Sequence, residues 1–345
     1  MSLSTSAYLQ DILDQPAALE ATLLGLRQSP PLSAFPKKLA GGKYRQVILT
    51  GMGSSCFALQ PLYLRLLKQG FCAQMIETSE LVHHASVLIA PHNLVIAVSQ
   101  SGQSAEILQL LAQTGGGVSL IAVTNTPDSP LAQRSSAALI THAGVEYSVS
   151  CKTYLATLAA LAWLGDSLLG EQVNGQFAKL DDAPELVSSY LECWQDHVAE
   201  LVERLRPIRH LFLLGRGSSL AAVGTGGLII KEAARFHSEG MSSAAFRHGP
   251  IEMLSLQVFA LVYLGASSMV THNAQLVQDI LAAGGDAEAV GQGASASPFE
   301  LPPCDPAVLP LLEILPAQMC SLALAELQGL QPGQFRLAKK ITTTE

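Results

Sequence analysis

Gln46-Val47-Ile48-Leu49-Thr50-Gly51-Met52-Gly53-Ser54-Ser55 decides the fold. A short β-rich run passes straight into a glycine- and serine-rich turn, and a helical pattern follows from Phe57 to about Lys68. A short apolar run bounded by turn residues fits a strand buried on both faces of a parallel sheet. The unit then recurs. Gln74-Met75-Ile76-Glu77 precedes a helix near residues 80–87, and Leu94-Val95-Ile96-Ala97-Val98 runs into Ser99-Gln100-Ser101-Gly102-Gln103-Ser104 and another helix. Leu120-Ile121-Ala122-Val123-Thr124 and Ala138-Leu139-Ile140 are further strands. Strands alternating with helices predict right-handed βαβ units around a parallel sheet.

Outward from this block, Leu9, Ile12, Leu13, Leu19, Leu23 and Leu26 give residues 6–28 one helical face, and Ser29-Pro30-Pro31 ends it. A helical spacer over residues 183–205 leads to His210-Leu211-Phe212-Leu213-Leu214 and then Gly215-Arg216-Gly217-Ser218-Ser219. Gly217-Ser218-Ser219 repeats Gly53-Ser54-Ser55, so the chain reads as two copies of one α/β unit. The copies differ: Gly265-Ala266-Ser267-Ser268 stands where a second Ser-Gln-Ser-Gly would fall. The expected division is a helical segment over 1–34, α/β units over 35–182 and 183–330, and a tail over 331–345. Each unit is expected to be an αβα three-layer sandwich with a flavodoxin-like parallel sheet of about five strands.

Composition limits the function. The 345 residues are 49% hydrophobic and 14% charged, with a net charge of -8, which argues against disorder and against a nucleic-acid partner. No signal-peptide pattern opens the sequence and no stretch of about 18 apolar residues is evident, so a cytoplasmic protein with no membrane partner is expected. Six scattered cysteines without a C-x-x-C pair read as reduced thiols. No H-x-x-x-H, H-E-x-x-H or paired acidic motif suggests a metal, no cofactor is expected, and the G-x-S-x-G pattern of a serine nucleophile is absent.

The two turns carry the chemistry. A phosphate needs several donors, close backbone approach and no carboxylate nearby. A Gly/Ser turn between strand and helix offers these, since free N–H groups and the helix dipole face the anion. One such turn alone is weak evidence and reads more readily as a plain helix cap. Two in one unit, both at carboxyl ends of strands, point to a bound phosphate through Gly53, Ser54, Ser55, Ser99, Gln100, Ser101 and Ser104.

Val98-Ser99-Gln100-Ser101-Gly102-Gln103-Ser104 resembles the SQSGET-type signature of SIS (sugar isomerase) domains, and Gly53-Ser54-Ser55 their first phosphate loop. The segment from Ala143-Gly144-Val145-Glu146 to Lys152-Thr153-Tyr154 resembles their "AGxExSVAxTKTYT" stretch, one residue short. Lys231-Glu232, Phe246-Arg247-His248-Gly249-Pro250 and Leu337-Ala338-Lys339 resemble segments of the isomerase half of glucosamine-6-phosphate synthases. The resemblance implies a double-SIS phosphosugar enzyme. Glu232 would move a proton between C1 and C2, His248 would assist ring opening, and Lys339 would reach the sugar. Val149 and Lys152 would contact substrate, and a homodimer is implied. Lys340-Ile341-Thr342 also resembles the "KVT" ending of other members, which leaves the register of the tail lysine open between Lys339 and Lys340. Taken alone, Glu232 reads as a solvated helix glutamate and His248 as a structural histidine at a turn.

Met1 is followed by Ser2 rather than a cysteine nucleophile, so glutamine is not expected as nitrogen donor. Among SIS enzymes, the sequence looks most like glucosamine-6-phosphate deaminases, which would convert glucosamine 6-phosphate to fructose 6-phosphate and ammonia. A fructosamine-6-phosphate (Amadori) deglycase, a simple ketose/aldose isomerase and a non-enzymatic sugar-phosphate sensor are the alternatives.

Overall fold

A computed structural model describes residues 6–30, 32, 34–170, 175–294, 297–337 and 340. Among the described residues nine strands form two sheets, all of whose paired strands run parallel. The first contains β1 (Gln46–Gly51), β2 (Ala73–Glu77), β3 (Asn93–Val98), β4 (Ser119–Thr124) and β5 (Ala137–Ile140), in the order β2-β1-β3-β4-β5. This is the flavodoxin-like order, whose direction reverses between β1 and β3. The second contains β6 (His210–Gly215), β7 (Ser238–Ser242), β8 (Val258–Tyr263) and β9 (Asp286–Val290), in the order β7-β6-β8-β9. It has four strands among the described residues, not about five. After β9 the chain carries Pro298, Pro302, Pro303 and Pro306, which cannot donate to a ladder, and it forms one isolated bridge, Gly291 to Glu300.

Strand pleating divides the apolar residues of the first sheet into two layers. Ile48, Val95, Ala97, Leu120 and Ala122 pack with Leu81, Ile107, Leu110 and Leu131, which come from helices Thr78–His84, Ala105–Gln113 and Pro130–Arg134. The alternate residues Val47, Leu49, Leu94, Ile96, Ile121 and Val123 are buried too, and helices Gln60–Lys68 and Lys152–Leu169 supply cover beside β2 and β4. In the second sheet Phe212, Leu214, Ala260 and Val262 pack with Leu276 and Ile280 of helix Ser267–Ala282. Helix Leu220–Ala234 packs on β6, β7 and helix Leu315–Leu327.

The chain divides into two compact units that are not contiguous stretches. One comprises the described residues of Ala17–Glu146, Lys152–Asp181 and Ala338–Glu345; the other comprises those of Met1–Pro16, Tyr147–Cys151 and Asp182–Leu337. Buried hydrogen bonds explain why the first residues join the second unit. Ser6 Oγ donates to Pro332 O, Tyr8 Oη pairs with Ser321 Oγ, and Gln15 and Gln318 exchange amide hydrogen bonds. The single helix expected over 6–28 is instead Ala7–Leu13 and Gln15–Arg27. Asp14 caps the first, and Pro16 sits in the opening turn of the second, where a missing N–H costs nothing. The helical stretch Leu309–Leu327 is long and apolar enough to cross a membrane, which the sequence alone did not suggest, yet 94% of an 18-residue window within it is buried in the fold.

That stretch holds Glu313, which closes the duplicated turn. Ser219, fully buried, donates to Glu313 Oε1 at 2.6 Å, while Oε2 has no hydrogen-bond partner. Burial pushes the carboxyl up from 4.5 to about 8, against the lowering effect of the Ser219 bond. Between these values the folded chain keeps a proton that the unfolded chain has released, so stability falls as pH rises through that window and levels off above it. Glu313→Gln removes this titration. Its stability relative to wild type, measured by denaturant unfolding, should rise steadily from pH 5 to pH 8; a constant difference would refute the assignment.

Candidate functional site

Two strand ends meet at the reversal of the first sheet, and each is shaped by a glycine. A Cβ on Gly51 would lie 3.0 Å from Cys56 N and Ser55 C, so the first helical turn, Ser54–Phe57, can fold directly onto the end of β1. Gly102 has φ +63°, and a Cβ there would collide with Ser129 Oγ. The Ser99–Ser104 loop is thus pressed against the loop after β4. Asn125 N, Thr124 Oγ1 and Thr126 Oγ1 all donate to Gln100 O, at 3.0, 3.2 and 3.4 Å, and Leu131 N donates to Gly102 O at 3.1 Å.

The hydroxyls of this loop are oriented by backbone amides. Gly102 N donates to Ser99 Oγ at 3.1 Å and Gln103 N to Ser101 Oγ at 3.4 Å. A hydroxyl that accepts one N–H keeps its own proton to offer to a ligand. Ser104 stands as N-cap of Ala105–Gln113 without a side-chain capping bond, so its hydroxyl is not spent on the helix. Thr50 donates to the buried Thr78 Oγ1 at 3.1 Å, which leaves the Thr78 proton similarly placed.

Ser55, Thr78, Ser99, Gln100, Ser101 and Ser104 line one cavity of about 200 Å³, with Glu106 and Lys340 also in its wall. Gly53, with φ +51°, and buried Ser54 form the turn beside it without lining it. A larger cavity, about 380 Å³, is walled by Trp163, Phe177 and Asp181 and has no serine-rich strand-end turn in its wall. A third, about 600 Å³, shares Gln100 with the first and is lined by Thr126, Ile140, His142, Val145 and Glu146. Among the described residues no group of three or more His, Cys, Asp or Glu is arranged to hold a metal. Cys56, in the first turn, is pushed up to about 11 by burial and then by Glu77, so it is a neutral thiol and a poor nucleophile.

Several of these features escaped sequence reasoning. Thr78 follows β2 without a glycine or serine motif to mark it. Glu106 puts a buried carboxylate in a wall expected to have none. Glu146 has a fully enclosed side chain that accepts from Thr153 N at 3.0 Å and Thr153 Oγ1 at 2.7 Å, fixing the start of helix Lys152–Leu169. Lys340 Nζ donates to its Oε2 at 2.6 Å. Lys339 lies outside the described residues. Lys152 is buried at the start of its helix.

The remaining expected residues belong to the second unit. Val149 is buried there. Glu232 is half-buried on helix Leu220–Ala234, and His248 is exposed on the turn after Ser243–Phe246, with Gly249 at φ +142°.

Residues 43–165 match the SIS domain family. A glutamine–fructose-6-phosphate aminotransferase (isomerizing) from Thermococcus kodakarensis is 30% identical over 353 residues, an alignment covering 97% of this chain and 57% of that protein. The chain therefore spans little more than half the length of that relative. The C-terminal domain of glucosamine-fructose-6-phosphate aminotransferase from Francisella tularensis has a TM-score of 0.85 at 21% identity, over 96% of this chain and 98% of that one. A glucosamine-6-phosphate deaminase from Thermotoga maritima has a TM-score of 0.78 at 21% identity, over 98% and 100%. At such identities the likeness establishes the fold: a mixed α/β architecture with two parallel sheets.

Gly102→Ala tests the loop geometry. A left-handed conformation costs an L-residue about 1–2 kcal/mol, and the Ser129 collision adds to it. The variant should melt several degrees lower and bind inorganic phosphate at least tenfold more weakly by calorimetry. Unchanged phosphate affinity would separate the loop from anion binding.

Proposed function

We propose that this chain, which carries a SIS domain over residues 43–165, is a phosphosugar isomerase-type enzyme that converts glucosamine 6-phosphate and water to fructose 6-phosphate and ammonia. The observation that carries the reading is the convergence of Ser55, Ser99, Gln100, Ser101 and Ser104 on one cavity at the β1/β3 reversal. Neutral, pre-oriented donors at a helix N-terminus suit a phosphate ester. Ligands of open α/β sheets bind outside such a reversal. The family resemblance and the similarity of 97% of this chain to 57% of an isomerizing aminotransferase support the rest of the substrate.

The chemistry follows from two groups. His248 assists opening of the pyranose ring, which exposes the C1 aldehyde. Glu232 takes the C2 proton and returns it to C1, leaving an imine at C2. Water adds to C2, the C–N bond breaks, and ammonia leaves with fructose 6-phosphate. The phosphate turns hold the substrate and take no part in proton transfer. The proposal includes the homodimer implied by the family resemblance, with His248 acting within the chain or across the dimer.

The cavity of about 600 Å³ beside Gln100 favours a second reading, an N-substituted fructosamine 6-phosphate. Proton transfer between the same two carbons, now from C1 to C2, would leave an imine at C1 whose hydrolysis releases a larger amine, and a volume in the range of drug-sized pockets would hold its substituent.

Purified chain incubated with glucosamine 6-phosphate should release ammonium and fructose 6-phosphate in equal amounts. Release of amine from fructosamine 6-phosphates alone would select the second reading, and release from neither would end both. Glu232→Gln should abolish turnover while leaving phosphate affinity within about twofold; full activity would remove Glu232 from the mechanism.

A further inference from the structure

The phosphate cavity lacks a positive charge in its serine-rich turns. Their hydroxyls and amides are neutral, Glu106 adds a carboxylate to the wall, and the whole chain has net charge -8. A phosphate monoester carries close to two negative charges at neutral pH. Among the described residues that line this cavity, Lys340 is the cation.

Its position is fixed by a buried partner. Nζ donates to Glu146 Oε2 at 2.6 Å, and the Glu146 side chain is itself enclosed and held by Thr153 N and Oγ1. The carboxylate therefore cannot follow the lysine outward, and the pair docks the ammonium at the cavity wall. An ammonium has three donors on a flexible stem, so it can serve a phosphate oxygen and Glu146 together. The lysine side chain is 27% exposed, which leaves the charge partly hydrated and able to meet an incoming anion.

We infer that Lys340 is the counter-charge of the bound phosphate, docked by Glu146. The inference rests on the cavity being a phosphate site, as proposed above. A lysine that merely tied the tail to Glu146 would alter stability but not anion affinity.

Calorimetry with inorganic phosphate on the full chain separates these cases, alongside KM and kcat for glucosamine 6-phosphate. Lys340→Met should weaken phosphate about tenfold to a hundredfold, the span expected for a lost charged hydrogen bond. KM should rise in step while kcat stays within about threefold, and Lys340→Arg should recover most of the affinity. Lys340→Gln is the second neutral variant should Lys340→Met not fold. Unchanged phosphate affinity in the neutral variant, even with a lower melting temperature, would overturn the inference. So would a wild-type chain that binds no phosphate, which would also remove the phosphate reading of the cavity. Wild-type phosphate binding that depends on Lys340, without ammonium release, would uphold the inference and reject only the reaction.

Discussion

All six residues of β3 are buried, and this burial on both faces governs where polar chemistry can occur. A strand covered by helices on each side offers a ligand nothing along its length. Function must appear where the strand stops, and the sheet order makes one such end special. Crossovers leave β1 and β3 in opposite directions, so a crevice opens between their carboxyl ends. Gly51 and Gly102 then let backbone approach that crevice closely.

The crevice is prepared before any ligand arrives. The Ser99 and Ser101 hydroxyls are each aimed by an amide from their own loop, and three donors pin the Gln100 carbonyl. Ordering of these groups is completed on folding, and a ligand does not repeat that cost. The same economy of local contacts explains why the loop needs the β4 side of the sheet: without Thr124, Asn125 and Ser129 the turn has no wall to press against.

The fold was legible where its causes are local. Apolar runs of five or six residues followed by Gly and Ser identify β1, β3 and their turns without reference to the rest of the chain. That the second sheet has four strands among the described residues was not legible from unit duplication, because the prolines after Val290 withdraw ladder donors that the first copy retains. The break at Asp14 was hidden by a periodic apolar stripe that continues through it. Long-range pairs were beyond reach altogether. Lys340 and Glu146 lie 194 positions apart, and Tyr8 and Ser321 lie 313 apart. No spacing rule links such residues; only packing does.

Ser219 and Glu313 give the duplicated turn a different electrical character. A carboxylic acid that keeps its proton to about pH 8 contributes almost no field at neutral pH, and the hydroxyl facing it is already engaged. A dianion approaching a chain of net charge -8 is repelled at long range. That repulsion fades beyond a Debye length, about 8 Å at physiological ionic strength. On the proposed reading, attraction is confined to the neighbourhood of the first turn and Lys340. On that reading, capture is a short-range event without long-range steering, in which salt screens the distant repulsion more than the contact.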